Sequence, residues 1–390
     1  MSHPTRLAIL ATHPVQYQAP WFARLAREPD LELTVYYGHR PTAEEHGAAG
    51  FGVAFQWDRP LLEGYRSVFL HNAARHPSLT RFSGVDLPEA AAVFSRDAFD
   101  AVLVMGWHFL GAWQAFRACW RSGLPVLVRG DSHLHTKRSA LKRLVKRVLH
   151  RRFVPRFAAC LAVGEWSREY FLHYGAAPER VFIVPHAVDA SALGDAGAAA
   201  RAAFRARWQL SEERCLALFS GKLLPVKRPL DFVSAVAAAS RREGSIAGLV
   251  VGDGPLRAAC ELEAQRAGAP IHFAGFLNQG EMGAAYAAAD LLVLPGEETW
   301  GLVVNEAMSC GRPCLVSDAA GCGPELIVPG ETGGLFPCGD VPALAAQLVA
   351  AARNPAGLRR MGQRARQHLA PRSWDATLPG LRQALAAALR

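Results

Sequence analysis

A chain of 390 residues, 51% apolar and 20% charged, is too long for one ordinary core and reads as two domains of roughly 150 to 200 residues. No strongly apolar stretch reaches the ~20 residues of a spanning helix. The N-terminus lacks a basic segment followed by a long apolar one, and the eight cysteines form no C-x-x-C pair or zinc-spaced partner. A spanning anchor, export with a disulfide scaffold and a zinc module are therefore not expected, and reduced cysteines in a cytoplasmic protein are.

In chain order, "RLAILAT" reads as a strand, "PWFARLARE" as a helix and "LELTVYYG" as a second strand. "DAVLVMG", "LPVLVRG", "AACLAVG" and "VFIVPHAVD" follow. Each short apolar run ends in Gly, Pro or a polar loop and a helical segment usually follows, the pattern of a parallel sheet covered on both faces.

Between the strands lies the origin of the net charge of +9: residues 137 to 156 carry nine Lys and Arg and no acid. In the helix predicted over 137–152, Leu141, Leu144, Val145, Val148 and Leu149 form one stripe. That stripe is expected to pack on the first domain. Residues 190–210 are rich in small residues and are expected to be a hinge.

The rhythm then resumes with "CLALFSG", "AGLVVG", "IHFAGF", "LLVLPG" and "PCLVSD". The fold class is therefore α/β, with two doubly wound domains, 1–190 and 191–372, facing a cleft. Ligands in such sheets bind at the C-terminal ends of strands.

Two loops there carry chemistry. "LFSGKLLPVKRPLDFV" (218–233) places Lys222 and Lys227 before a helix, where two ammonium groups can converge on a diphosphate; solvated loop charges are the alternative. "VVGDGPLRAAC" (250–260) lacks the third glycine of a dinucleotide fingerprint and reads as a tight turn. "EETWGLVVNEAMSCGRPCLVSD" (297–318) predicts a helix from Gly301 or Leu302. The first N–H groups of that helix, on Gly301, Leu302 and Val303, make an anion site. Glu298 precedes the helix and can accept hydrogen bonds from sugar hydroxyls. Glu306 lies a turn inside and suits a vicinal diol such as a ribose.

The run from "LFSGKLLPVKRP" through "VVGDGPL" and "IHFAGFL" to "EETWGLVVNEAMSCGRPCLVSDAAGCGPELI" and "GETGGLFPCGD" resembles the donor domain of glycosyltransferase family 4, retaining enzymes of the GT-B fold. The resemblance implies Glu298 on the transferred sugar and Glu306 on the ribose. It puts Lys222 and Lys227 on the diphosphate, with Lys222 where the family more often has Arg. The backbone of Phe276 and Leu277 would read the base, and Gly301, Leu302 and Val303 would donate to the phosphate or sugar. Glu298, Lys222, Lys227 and Asp131 are the residues expected to carry catalysis.

In the first half, "THPVQYQAP" is similar to the opening of one subgroup and places His13, Gln16 and Gln18 on the acceptor side. Asp131 and His133 of "VLVRGDSHLH" match the family's strand ending in His-Asp. The aromatic-rich stretch 51–67 is expected among the acceptor loops, and a last helix from about residue 373 is expected to return to the first domain.

No D-x-D occurs in the chain, in keeping with transfer that needs no metal or other cofactor beyond a UDP- or GDP-linked sugar. The acceptor would be a glycan or a lipid-linked sugar. The basic helix points to an anionic membrane surface at the inner face of the cytoplasmic membrane, or to an anionic acceptor, each cation near a bilayer contributing roughly 1 kcal/mol. No nucleic-acid recognition module is present. A nucleotide-sugar 2-epimerase or phosphorylase on the same fold, and a non-catalytic binding module on a decayed scaffold, are the competing readings.

Overall fold

The computed structural model describes residues 3–136, 139–193 and 196–390. The first half runs β1 (Thr5–Ala11), α1 (Ala19–Leu25), β2 (Leu31–Tyr37), α2 (Ala43–His46), β3 (Arg66–Phe69), α3 (Ala90–Val93), β4 (Ala101–Met105), α4 (Leu110–Ser122), β5 (Val126–Gly130), α5 (Ala140–Phe153), β6 (Ala159–Ala162), α6 (Glu165–His173) and β7 (Val181–Ile183). Its parallel sheet has the order β3-β2-β1-β4-β5-β6-β7.

The second half runs α7 (Ala198–Arg207), β8 (Cys215–Ser220), α8 (Pro229–Arg242), β9 (Ile246–Val251), α9 (Arg257–Ala267), β10 (Ile271–Gly275), α10 (Gln279–Ala288), β11 (Leu291–Leu294), α11 (Leu302–Ser309), β12 (Cys314–Ser317), α12 (Gly323–Leu326), β13 (Gly333–Phe336), α13 (Val341–Arg353), α14 (Pro355–Leu369) and α15 (Thr377–Ala388). Its parallel sheet has the order β10-β9-β8-β11-β12-β13.

The strands are near-continuous apolar runs because both faces of each sheet are covered. Along β1, Leu7 and Ile9 join a core with Trp21, Phe22 and Leu381. Ala8 and Leu10 point the other way, to Val102, Val104 and Phe116, as the two-residue period of a strand requires. In the second sheet, Ala217, Phe219, Val250 and Val293 pack with Phe232 and Val236 of α8 and Leu344 and Leu348 of α13.

The chain divides into two compact units: residues 1–45, 60–187 and 374–390 around the seven-stranded sheet, and residues 46–59 and 188–373 around the six-stranded one. Helix α15 belongs to the first. Trp21 Nε1 donates to Thr377 Oγ1 at 2.9 Å, and Leu381 and Leu385 are buried in the same core as β1.

Within the small-residue stretch 190–210, expected as a hinge, Ala198–Arg207 is helix α7, as a run of alanines favours, and the two compact units divide shortly before it, after Ala187. Arg205 of α7 is buried and bonds to Asp290 Oδ2 and the Ala288 carbonyl, each at 2.9 Å.

The aromatic stretch 51–67 is divided, with residues 60–67 in the first unit. Residues 51–59 lie in the second unit, where the Phe55 ring meets Phe276 at 4.3 Å.

The apolar stripe of α5 does not pack inward. Leu141, Leu144, Val145, Val148 and Leu149 are 48–70% exposed. The helix instead seats Lys146, His150 and Phe153, spaced i, i+4, i+7. Lys146 Nζ lies 4.6 Å over the Tyr170 ring, His150 Nδ1 is 2.9 Å from Tyr170 Oη, and Phe153 is buried. An aromatic floor attracts a cation, and this face meets it while the aliphatic stripe stays exposed. Lys137 and Arg138, the first of the nine cations, lie outside the described residues. Among the described residues, no helix is long and apolar enough to cross a membrane.

Candidate active site

In the second unit, the loops after β8 and β11 are pressed together. Gly296 makes this possible: a Cβ there would stand 2.4 Å from the Val226 carbonyl oxygen and 2.6 Å from Lys227 Cα. The Glu297 N–H donates to Val226 O at 3.0 Å, and the Lys227 ammonium forms an ion pair with Glu298 Oε1.

Lys222, on the same β8 loop, donates from Nζ to the Ala49 carbonyl at 2.7 Å. Its Nζ stands 4.2 Å from the centre of the Phe51 ring. Burial lowers the Lys222 pKa, the Lys227 charge adds to this, and Glu298 opposes both.

Helix α11 starts at Gly301, whose φ of 112° only glycine adopts readily. Val304 N is the first to close back onto Gly301 O, at 2.9 Å. The preceding N–H groups of the first turn have no intrahelical acceptor, by the geometry of any helix start. Trp300 Nε1 donates to Asn305 Oδ1 at 2.9 Å and fixes the turn to the helix.

One turn in, Glu306 Oε2 accepts a 2.6 Å hydrogen bond from Tyr286 Oη. Burial pushes the Glu306 carboxyl up to about 7 against the opposing pull of that bond. Phe276 and Leu277 follow β10, with Leu277 buried.

The six-stranded unit thus joins Lys227 directly to Glu298, couples Lys222 electrostatically to both, and holds Glu306 separately on Tyr286. The arrangement offers two cations and a helix start to an anion, and carboxylates to hydroxyl groups.

In the first unit, the loops after β1 and β5 border a cavity of about 210 Å³ lined by Tyr17, Gln18, His108, Arg129, Asp131 and His186 among others. Arg129 is 6% exposed. It donates from Nη2 to the carbonyls of Val184 at 3.0 Å and Pro185 at 3.1 Å, and its guanidinium lies 4.8 Å over Trp21. Burial brings the Arg129 pKa down to about 10, with Asp131 opposing. Burial raises Tyr17 to about 12, with Asp131 adding. Burial, then the Arg129 charge, hold His186 well below the usual imidazole range, so it is neutral at pH 7.

Gln18 and Asp131 are therefore brought to one cavity. His13 and Gln16 sit half-buried elsewhere on the β1 loop. His133 is buried against Trp166, ring centres 5.0 Å apart, and its Nδ1 accepts from His135 N at 3.2 Å.

Sequence reasoning missed Arg129, Tyr286 and the segment 46–59. A cation ending the apolar run "VLVRG" was a readable signal for the first. Tyr286 looks like any core residue of an apolar helix.

Two parallel Rossmann-like sheets, each with its polar groups in loops after strand ends, define a GT-B protein. Residues 200–368 match the family described as Glycosyl transferases group 1, and residues 22–192 match Glycosyltransferase Family 4. The chain belongs to the family-4 type of GT-B glycosyltransferases. A D-inositol 3-phosphate glycosyltransferase of Streptomyces bingchenggensis is 32% identical over 238 residues, 58% of this chain and 52% of the relative. The sulfoquinovosyl transferase SQD2 of Arabidopsis thaliana is 31% identical over 257 residues, 59% of this chain and 48% of the relative. The chain spans about half the length of these curated relatives. Anabaena HepE, crystallised with UDP and glucose, shares the fold with a TM-score of 0.73 at 17% identity, over 98% of this chain and 99% of that one.

Proposed function

We propose that the protein is a retaining glycosyltransferase that moves a sugar from a nucleoside diphosphate, UDP- or GDP-linked, to a hydroxyl of a glycan or lipid-linked acceptor. The observation that carries this reading is the Lys227–Glu298 ion pair beside Lys222. When the bond from sugar to phosphate breaks, negative charge grows on the diphosphate, and fixed positive groups stabilise it more in the transition state than in the ground state. Lys222, Lys227 and the start of α11 supply those groups, Glu298 takes the sugar hydroxyls, and Glu306 takes the ribose. The leaving phosphate oxygen accepts the proton of the attacking hydroxyl on the same face of the sugar, which retains the anomeric configuration. HepE binds UDP, and the named relatives transfer sugars; both support this assignment.

On the acceptor side, Asp131 and Gln18 border the cavity that would admit the hydroxyl. Helix α5, with its exposed aliphatic stripe and flanking cations, suits an anionic bilayer and would bring a lipid-linked acceptor to the enzyme.

A thermal-shift screen across UDP, GDP, ADP and dTDP tests the donor class, since ligand at 100 times its dissociation constant stabilises by ~2.7 kcal/mol. Glu298→Ala should abolish transfer and donor hydrolysis while the protein stays folded. Unchanged turnover in that variant refutes the assignment.

A further inference from the structure

The unit built on the six-stranded sheet contains one segment from far earlier in the chain, residues 46–59. Its "GAAGFG" run coils back on itself because glycine adopts the left-handed backbone that the coil needs; Gly52 has φ 77°. The coil also lies close to the β9 loop: a Cβ on Gly52 would stand 3.1 Å from Gly254 N and 3.2 Å from Asp253 Oδ1.

Three contacts tie this strap to groups already assigned to the donor. The Ala49 carbonyl accepts from Lys222 Nζ at 2.7 Å. The Phe51 ring lies under the same ammonium at 4.2 Å and meets Phe276 edge-on at 5.8 Å. The Phe55 ring lies on Phe276 at 4.3 Å and 35°. Two further bonds fasten its far end, Asn278 Nδ2 to Gln56 O at 2.7 Å and Gly280 N to Asp58 Oδ2 at 2.9 Å.

We propose that residues 46–59 form a wall of the donor site, with Ala49 and Phe51 positioning the Lys222 ammonium and Phe55 bracing the Phe276 loop, so that affinity for a nucleoside diphosphate depends on this strap. The inference rests on the donor reading above. An ammonium has three hydrogens. One is held by Ala49 and the other two remain for phosphate oxygens, so the strap orients Lys222 without consuming it. A flexible lysine held in this way loses less side-chain freedom on binding. The family more often has arginine here, whose planar fork is preorganised by itself; the strap gives a lysine comparable fixity.

The test is the dissociation constant for UDP, GDP and ADP in the full chain, by calorimetry, for wild type, Phe51→Ala, Phe51→Tyr, Lys222→Met and the double variant Phe51→Ala/Lys222→Met. Phe51→Ala should weaken binding of the preferred nucleotide by roughly three- to thirty-fold. Phe51→Tyr should retain affinity, and Phe51→Ala should have little further effect in the Lys222→Met background, an outcome that a general loss of packing does not produce. Melting temperature checks folding, and Phe51 is only half-buried. Unchanged or tighter binding in Phe51→Ala overturns the wall, as does a loss that is fully additive with Lys222→Met. Wild type binding none of the nucleotides would instead refute the donor reading itself.

Discussion

Tyr286 and Glu306 form a 2.6 Å hydrogen bond between a buried phenol, the donor, and a partly buried carboxylate whose Oε2 accepts. The bond leaves Oε1 as the oxygen that can face a ribose, and it favours the ionised form of a carboxyl that burial otherwise drives up to about 7. Tyr286 is itself fully buried, and its pKa stands well above the ordinary value, from burial first and then the Glu306 charge. It is therefore a fixed donor at any working pH.

Tyr286→Phe should consequently shift the pH dependence of nucleotide binding. If the carboxylate is the form that accepts the ribose hydroxyls, the dissociation constant in wild type rises as pH falls through about 7, by up to about tenfold per unit below the midpoint. Removing the phenol deletes a charge-assisted bond and should move that midpoint upward by roughly one to two units. Calorimetric titration with UDP between pH 6 and 9 reads the shift, and superimposable profiles would contradict the role given to Tyr286.

Glu306→Gln separates stability from binding. The folded pKa lies above the ordinary carboxyl value of 4.5, so between about pH 4.5 and 7 the native state holds a proton that the unfolded chain has released. Stability then falls as pH rises through that window, and the deficit persists above it. The neutral amide avoids the deficit, so the variant should be more stable than wild type at pH 8, by about 3 kcal/mol at most from the 2.5-unit difference between 7 and 4.5, and no more stable at pH 4. Nucleotide affinity should fall at the same time. Chemical denaturation at the two pH values distinguishes this from a pH-independent packing effect.

Gly296→Ala should damage both fold and function, because its Cβ would meet main-chain atoms of Val226 and Lys227 that cannot swing away. Overpacking of this kind costs about 1–3 kcal/mol, and relief of the clash displaces Lys227 from Glu298. A lower melting temperature together with weaker UDP binding is expected; retention of both would mean that the two loops can separate freely.

For α5, Leu144→Ser/Val148→Ser should leave the melting temperature nearly unchanged, since both side chains already face solvent, 58% and 48% exposed. Flotation on anionic vesicles should drop by roughly ten- to a hundred-fold, as about half of each side chain's burial energy is forfeited. Replacing Lys142, Arg143 and Arg147 by Gln should reduce the preference for anionic over neutral vesicles. Equal flotation of all variants would reject docking through this helix.

The sequence by itself determined the elements that depend on short-range pattern. Short apolar runs such as "AVLVM" of β4 and "LLVL" of β11, bounded by Gly, Pro or polar residues, read as strands buried on both faces, and their alternation with helices points to parallel sheets. The order and spacing of Lys222, Lys227, Glu298 and Glu306 pointed to the family because those groups sit in loops at strand ends, where the chain brackets them with strands and helices legible in one dimension.

Tertiary structure decided what depends on contacts distant along the chain. The stripe of α5 faces outward while Lys146 and His150 sit on Tyr170 of another helix, and nothing within 137–152 encodes that floor. The aromatic stretch 51–59 belongs with Phe276 because ring packing selects a partner more than two hundred residues away. Tyr286 becomes the partner of Glu306 only when α10 and α11 are brought together by the sheet. Periodicity specifies which face of an element is apolar; which surface that face meets is settled by competition among all the faces the fold brings within reach.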